Sequence, residues 1–168
     1  MGRGRILVGA SVVALLVAAV ATFAMTTRDN NMADPNKLGP DGFPIIFWTV
    51  ASRDKDGVTA LLKAGANIDE RGFAQETPVL QAATAQSWEM VDFLIQAGAD
   101  VRLIDKRGFN LPFLAATSQT LEESENGKFL YQKVRPHLAE LGLMEKTFHP
   151  NTVVQLRDAG SWPPPEWE

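Results

Sequence analysis

Five residues, Val58, Leu61, Ala64, Gly65 and Ala66, recur 33 positions later as Val91, Leu94, Ala97, Gly98 and Ala99. A period of that length restricts the chain to a stack of small repeated units, each burying its apolar face against its neighbours. Written out, the copies are Val-Thr-Ala-Leu-Leu-Lys-Ala-Gly-Ala-Asn-Ile-Asp (58–69) and Val-Asp-Phe-Leu-Ile-Gln-Ala-Gly-Ala-Asp-Val-Arg (91–102). Upstream of the second lies Thr77-Pro78-Val79-Leu80-Gln81-Ala82-Ala83. Thr77 is predicted to cap a helix with its hydroxyl, and Pro78 suits the first helical position because the amide it lacks has no intrahelical partner. Ala82 and Ala83 let a neighbouring helix approach closely. Val91, Leu94 and Ile95, at i, i+3 and i+4, form the apolar stripe of a second, antiparallel helix. Gly65 and Gly98 are placed to end their helices in the left-handed conformation that glycine adopts at little cost.

These segments resemble the ankyrin repeat: Thr77-Pro78 matches the family's helix opening, and the Ala-Gly-Ala segments match the turn after its second helix. The resemblance implies an all-α array of about three repeats, each a helix-turn-helix with a β-turn finger. The repeats cover about 41–72, 73–105 and 106–142, followed by capping helices over 143–168. The third copy opens with Gly108-Phe109-Asn110-Leu111-Pro112-Phe113-Leu114-Ala115-Ala116 and then departs from the pattern. Ser118 to Gly127 reads as an insertion between its two helices, and Thr120 to Glu123 fits a capping box. Leu130, Val134, Leu138 and Leu141 fall on one helical face, which Pro136 should kink or split. Thr152 to Gly160 resembles another second helix, serving as a cap. The histidine usual after the family's Thr-Pro-Leu is replaced by Phe47, Leu80 and Phe113, and the usual glycine after the first helix by Arg53 and Gln86.

Ile6 to Met25 is a run of twenty residues without a charge. At about 1.5 Å per helical residue it spans roughly 30 Å, the thickness of a bilayer's hydrocarbon core. It reads as a transmembrane or signal-anchor helix over 1–25, joined by a flexible linker over 26–40 to the domain at 41–168. Arg3 and Arg5 would keep the N-terminus in the cytoplasm and send the repeats across. Ala19-Val20-Ala21 also has the form of a signal-peptide cleavage site, which would release the domain as a soluble periplasmic protein. Setting aside Arg3, Arg5 and Arg28, thirteen basic residues face twenty acidic ones. Such a domain is a poor ligand for nucleic acid and better suited to a basic partner.

No catalytic, cofactor-binding or metal-binding motif is recognisable. Without cysteine, disulfides, thiolate metal sites and cysteine nucleophiles are excluded. His137 and His149 have no neighbouring ligand pattern, and no phosphate loop, dinucleotide fingerprint or nucleophile elbow is present. The C-terminal Ser161-Trp162-Pro163-Pro164-Pro165-Glu166-Trp167-Glu168 fits either a polyproline ligand or a cap in which Trp162 folds back over the last helix.

What the resemblance implies is therefore a binding protein. Ankyrin repeats bind proteins through their fingers and the concave row of first helices. That carry-over falls on Phe43, Trp48, Arg53, Phe73, Gln75, Glu76, Gln81, Arg107 and Phe109, the pairs Gly42-Phe43, Gly72-Phe73 and Gly108-Phe109 recurring at the finger tips. Each phenylalanine could equally be buried between adjacent fingers. The expected protein is non-enzymatic, exported by a bacterium and tethered to the inner membrane, with its domain in the periplasm. Its layout is similar to immunity proteins that neutralise toxins delivered by type VI secretion, particularly phospholipases. The alternative is a periplasmic scaffold for envelope or stress enzymes.

Overall fold

The structure, a computed structural model, describes Pro35, residues 37–39 and residues 41–167. The apolar run 6–25 and most of the linker lie outside the described residues. The described residues form eight α-helices: α1 (Ile45–Ala51), α2 (Lys55–Lys63), α3 (Pro78–Thr84), α4 (Trp88–Gln96), α5 (Leu111–Thr117), α6 (Glu125–Phe129), α7 (Arg135–Glu140) and α8 (Pro150–Asp158). A π-helical turn, Leu130–Val134, joins α6 to α7, and a 3-10 turn, Pro165–Trp167, ends the described chain. Among the described residues no helix is long and apolar enough to cross a membrane.

The 33-residue period governs the helix boundaries. The first helices α1, α3 and α5 begin at Ile45, Pro78 and Leu111, and the second helices α2 and α4 at Lys55 and Trp88. α1 packs on α3 and α3 on α5, forming one layer, while α2 and α4 fold back against their own first helices. The core between the layers contains Val58, Leu61, Ala82, Ala83, Val91 and Leu94, all buried; Ile95 is half-buried. Gly65 and Gly98 have φ of 96° and 98°, and each helix closes with the same pair of bonds. Gly65 N–H donates to Leu62 and Ala66 N–H to Leu61, as Gly98 does to Ile95 and Ala99 to Leu94. Gly142 and Gly160 stop α7 and α8 in the same way, each donating three residues back while the next amide donates five residues back.

Three local expectations are corrected. Thr77 occupies the N-cap position with extended backbone, but its side chain makes no capping bond, and its buried Oγ1 has no partner. Pro78 at the first helical position sets that helix start. The insertion's helix is capped by Ser124, whose Oγ accepts from Gly127 N–H at 2.9 Å, rather than by Thr120. Thr120 instead accepts from the Trp88 indole at 3.0 Å. Pro136 does not split the helical run from Glu125 to Glu140, which passes through the π turn Leu130–Val134 immediately before it. Leu130, Val134 and Leu138 are fully buried along that run.

The insertion is locked onto the second repeat through a position that usually favours glycine. Gln86 has φ of 54°, and its carbonyl accepts from the Asn126 side chain while its Oε1 accepts from the Ser118 and Thr120 hydroxyls. At the C-terminus the Trp-Pro segment folds back. Trp162 packs edge-on against Phe148 and Trp167, and it is Trp167 that is buried, its carbonyl accepting from Arg102 Nε at 3.1 Å.

Candidate functional site

Each finger closes with a repeated pair of backbone bonds. Gly39 N–H donates to Phe43 and Gly42 N–H to Gly39; Gly72 donates to Glu76 and Gln75 to Gly72; Asp105 donates to Phe109 and Gly108 to Asp105. The residue before the closing position is left-handed in all three: Gly42 (φ 79°), Gln75 (φ 61°) and Gly108 (φ 86°). Phe43, Glu76 and Phe109 are therefore equivalent, and the Gly72-Phe73 pair, despite its appearance, sits three residues out of register with the other two. Phe73 is placed at the tip itself, where it is 70% exposed and touches Phe43 edge-on with ring centroids 4.3 Å apart.

The second and third fingers are tied to each other by a main-chain bond and an arginine. Lys106 N–H donates to Ala74 O at 2.8 Å, and Arg71 Nη1 bridges Gln75 O and Ile104 O. In the third finger Asp105 is buried and accepts from Arg107 Nε at 2.8 Å, while the Arg107 guanidinium lies 5.0 Å from the centre of the Phe109 ring. A side chain at Gly108 would meet the Pro150 carbonyl at 2.3 Å, so this finger also seats the start of α8.

Between the fingers and the first helices lie two adjoining depressions. The first, about 200 Å³, is walled by Asp41, Phe43, Phe47, Trp48, Ala51 and Gln81. The second, about 300 Å³, is lined by Glu76, Leu80, Thr84, Arg107 and Phe109 among others, with Gln81 again contributing. Gln81 is the shared wall, and its Oε1 is covered with no hydrogen-bond partner among the described residues. Trp48 is the exposed aromatic of this face, at 40%, and is nonetheless held in place. Its indole N–H donates to Asp41 Oδ1 at 2.8 Å, and its ring edge lies where a Cβ on Gly39 would be, 2.2 Å away. The indole bond, joined by the Phe43 amide, outweighs desolvation and holds the Asp41 carboxyl below its ordinary range.

Six of the nine sequence-selected residues thus meet along these depressions: Phe43, Trp48, Glu76, Gln81, Arg107 and Phe109. Phe73 and Gln75 stand at the tip of the second finger, with Phe73 against Phe43. Arg53 does not join them. It follows α1 at the end remote from the fingers, exposed and left-handed (φ 57°), beside Asp54, Lys55, Asp56 and Glu89. Asp41 carries no sequence signal of this role, because it meets the Trp48 indole across the finger turn and outside the helix that begins at Ile45. Among the described residues no group of three or more His, Cys, Asp or Glu is arranged to hold a metal ion.

A stack of helix pairs linked by finger turns defines the class: an all-α repeat array. The ankyrin-repeat family model matches residues 75–106, from the turn of the second finger to that of the third. No curated protein matches the chain.

Proposed function

We propose that the chain is a non-catalytic binding protein that docks one protein partner in the two depressions of its concave face. The observation that carries this reading is the convergence of Phe43, Trp48, Gln81 and Phe109 on adjoining hollows that share one wall. Aromatic side chains held rigidly at a surface lose little entropy on binding and dominate interface energetics. Trp48 has that character, being exposed yet fixed by Asp41 and Gly39.

In the same proposal, residues 6–25 carry the domain across the bacterial inner membrane and tether it there, with Arg3 and Arg5 retaining the N-terminus inside. A domain presented in that compartment meets incoming secreted toxins, and its layout resembles immunity proteins that neutralise type VI phospholipases. The test is survival of cells expressing the full chain when challenged with type VI phospholipases, beginning with any secreted lipase whose gene adjoins its own. Protection should be lost with Trp48→Ala plus Phe109→Ala at unchanged protein level. Undiminished protection by that double variant would remove the concave face from the account. Co-purification of a resident envelope enzyme, with no protection from any toxin, would replace immunity by scaffolding. A periplasm-active reporter fused after Glu168 should be active; activity from a cytoplasmic reporter alone refutes the topology.

A further inference from the structure

We infer that the first depression receives a basic side chain, an arginine above all, projecting from the partner's surface; this rests on the reading of the concave face as the docking surface. Its volume of about 200 Å³ suits one long side chain rather than a small-molecule ligand, for which pockets of roughly 300–1,000 Å³ are usual. Its walls combine aromatic rings, Phe43, Phe47 and Trp48, with one carboxylate, Asp41. Both hydrogen bonds to Asp41 among the described residues, from Trp48 Nε1 and Phe43 N, end on Oδ1. Oδ2 is left as an acceptor, on a carboxyl whose bond to the indole favours the ionised form. A cation beside an aromatic face and a carboxylate gains from both the ring quadrupole and the ion pair.

The molecule already contains the completed arrangement. In the third finger the Arg107 guanidinium lies 5.0 Å from the Phe109 ring centre and bonds to Asp105. Phe43 is the equivalent of Phe109 two periods earlier, and Arg107 corresponds there to Asp41. The first finger thus offers an aromatic ring and a carboxylate without the intrinsic guanidinium. Two further groups favour an incoming donor. Gln81 Oε1 is covered and unsatisfied, so a guanidinium N–H entering beside it supplies the bond it lacks. Glu76, lining the neighbouring depression, adds a second carboxylate, whereas Arg107 is neutralised by Asp105. Lys37 lines a separate depression on the other side of Trp48, with Ile45 and Thr49.

The test uses the full-length protein in detergent micelles, isotope-labelled, and three capped peptides, Gly-Gly-X-Gly-Gly, with X arginine, citrulline or leucine. The Trp48 indole N–H resonance, assigned from its loss in Trp48→Phe, is followed during titration. The arginine peptide should shift it saturably, with affinity about fivefold above that of the neutral citrulline peptide, the upper end for an exposed ion pair. Asp41→Asn should remove a similar factor. Gln81→Leu should weaken the arginine peptide without lowering the melting temperature, since it deletes an unsatisfied acceptor. Equal affinity for citrulline, an affinity unchanged in Asp41→Asn, or no shift at Trp48 with any peptide overturns the inference. If the leucine peptide alone shifts Trp48, the face still docks a partner but the basic side chain is refuted.

Discussion

Arg53 and Gln86 end equivalent helices in the same left-handed conformation, with φ of 57° and 54°, yet their replacement by glycine should act in opposite directions. A left-handed residue with a Cβ costs about 1–2 kcal/mol, and glycine gives back about 0.5–1 kcal/mol through the greater freedom of its unfolded chain. The backbone change alone is therefore worth a net gain of about 0.5–1 kcal/mol at either site. Arg53 makes no side-chain hydrogen bond or ion pair among the described residues, so Arg53→Gly should realise that gain. Gln86 Oε1 accepts from Ser118 and Thr120, and at about 0.5–1.5 kcal/mol per bond Gln86→Gly forfeits about 1–3 kcal/mol. The net is a loss of about 0.5–2 kcal/mol. Alanine at each position controls for the lost side chain: Gly should exceed Ala by about 1 kcal/mol at both sites, since only the backbone term differs. Thermal and urea unfolding of the five proteins decide it, with about 4 °C expected per kcal/mol for a domain of this size. If Arg53→Gly is destabilising, or if Gly and Ala are equal at both sites, the left-handed backbone is not the stored cost inferred here.

Gly39→Ala should displace the indole that now occupies its Cβ position, weakening partner affinity more than tenfold while lowering the melting temperature only a few degrees; binding assay and melt together check it. Thr77→Val should leave stability unchanged or slightly raised in a urea melt, because the buried Thr77 hydroxyl has no partner to lose. Asp69 accepts from the Asp100 amide, yet burial raises its pKa. A carboxyl raised in the fold contributes stability below its unfolded value of 3.8 and loses it as pH rises through the folded value. Asp69→Asn keeps the acceptor without the charge, so it should raise the melting temperature at pH 7 and not at pH 3, which melts at the two pH values test.

Much of the array was readable because small residues and stops recur at one spacing. The alanines, Gly65 and Gly98, and Pro78 each impose a local geometry that tertiary packing did not alter. The departures fall where a residue's chemistry and its place in the period disagree. Gly72-Phe73 looks like its neighbours, but a fingertip needs its left-handed residue at the 33-residue position, and Gln75 occupies it without glycine's signature. Thr120 fits a capping box, yet its hydroxyl does more by satisfying the buried Trp88 indole and Gln86. The fixed pose of Trp48 was not legible, since it depends on Gly39 and Asp41 meeting the indole across a turn. Nor was Trp167's burial, which requires α8 and the chain end to return to Arg102.

The central claim, that the concave face is the docking surface, is tested most directly by hydrogen–deuterium exchange of the full chain with and without its purified partner. Protection should concentrate in residues 41–48, 76–85 and 105–113, the segments that build the two depressions. Protection confined to the turns at 53–56 and 87–90, or to the outer faces of α2 and α4, would contradict it.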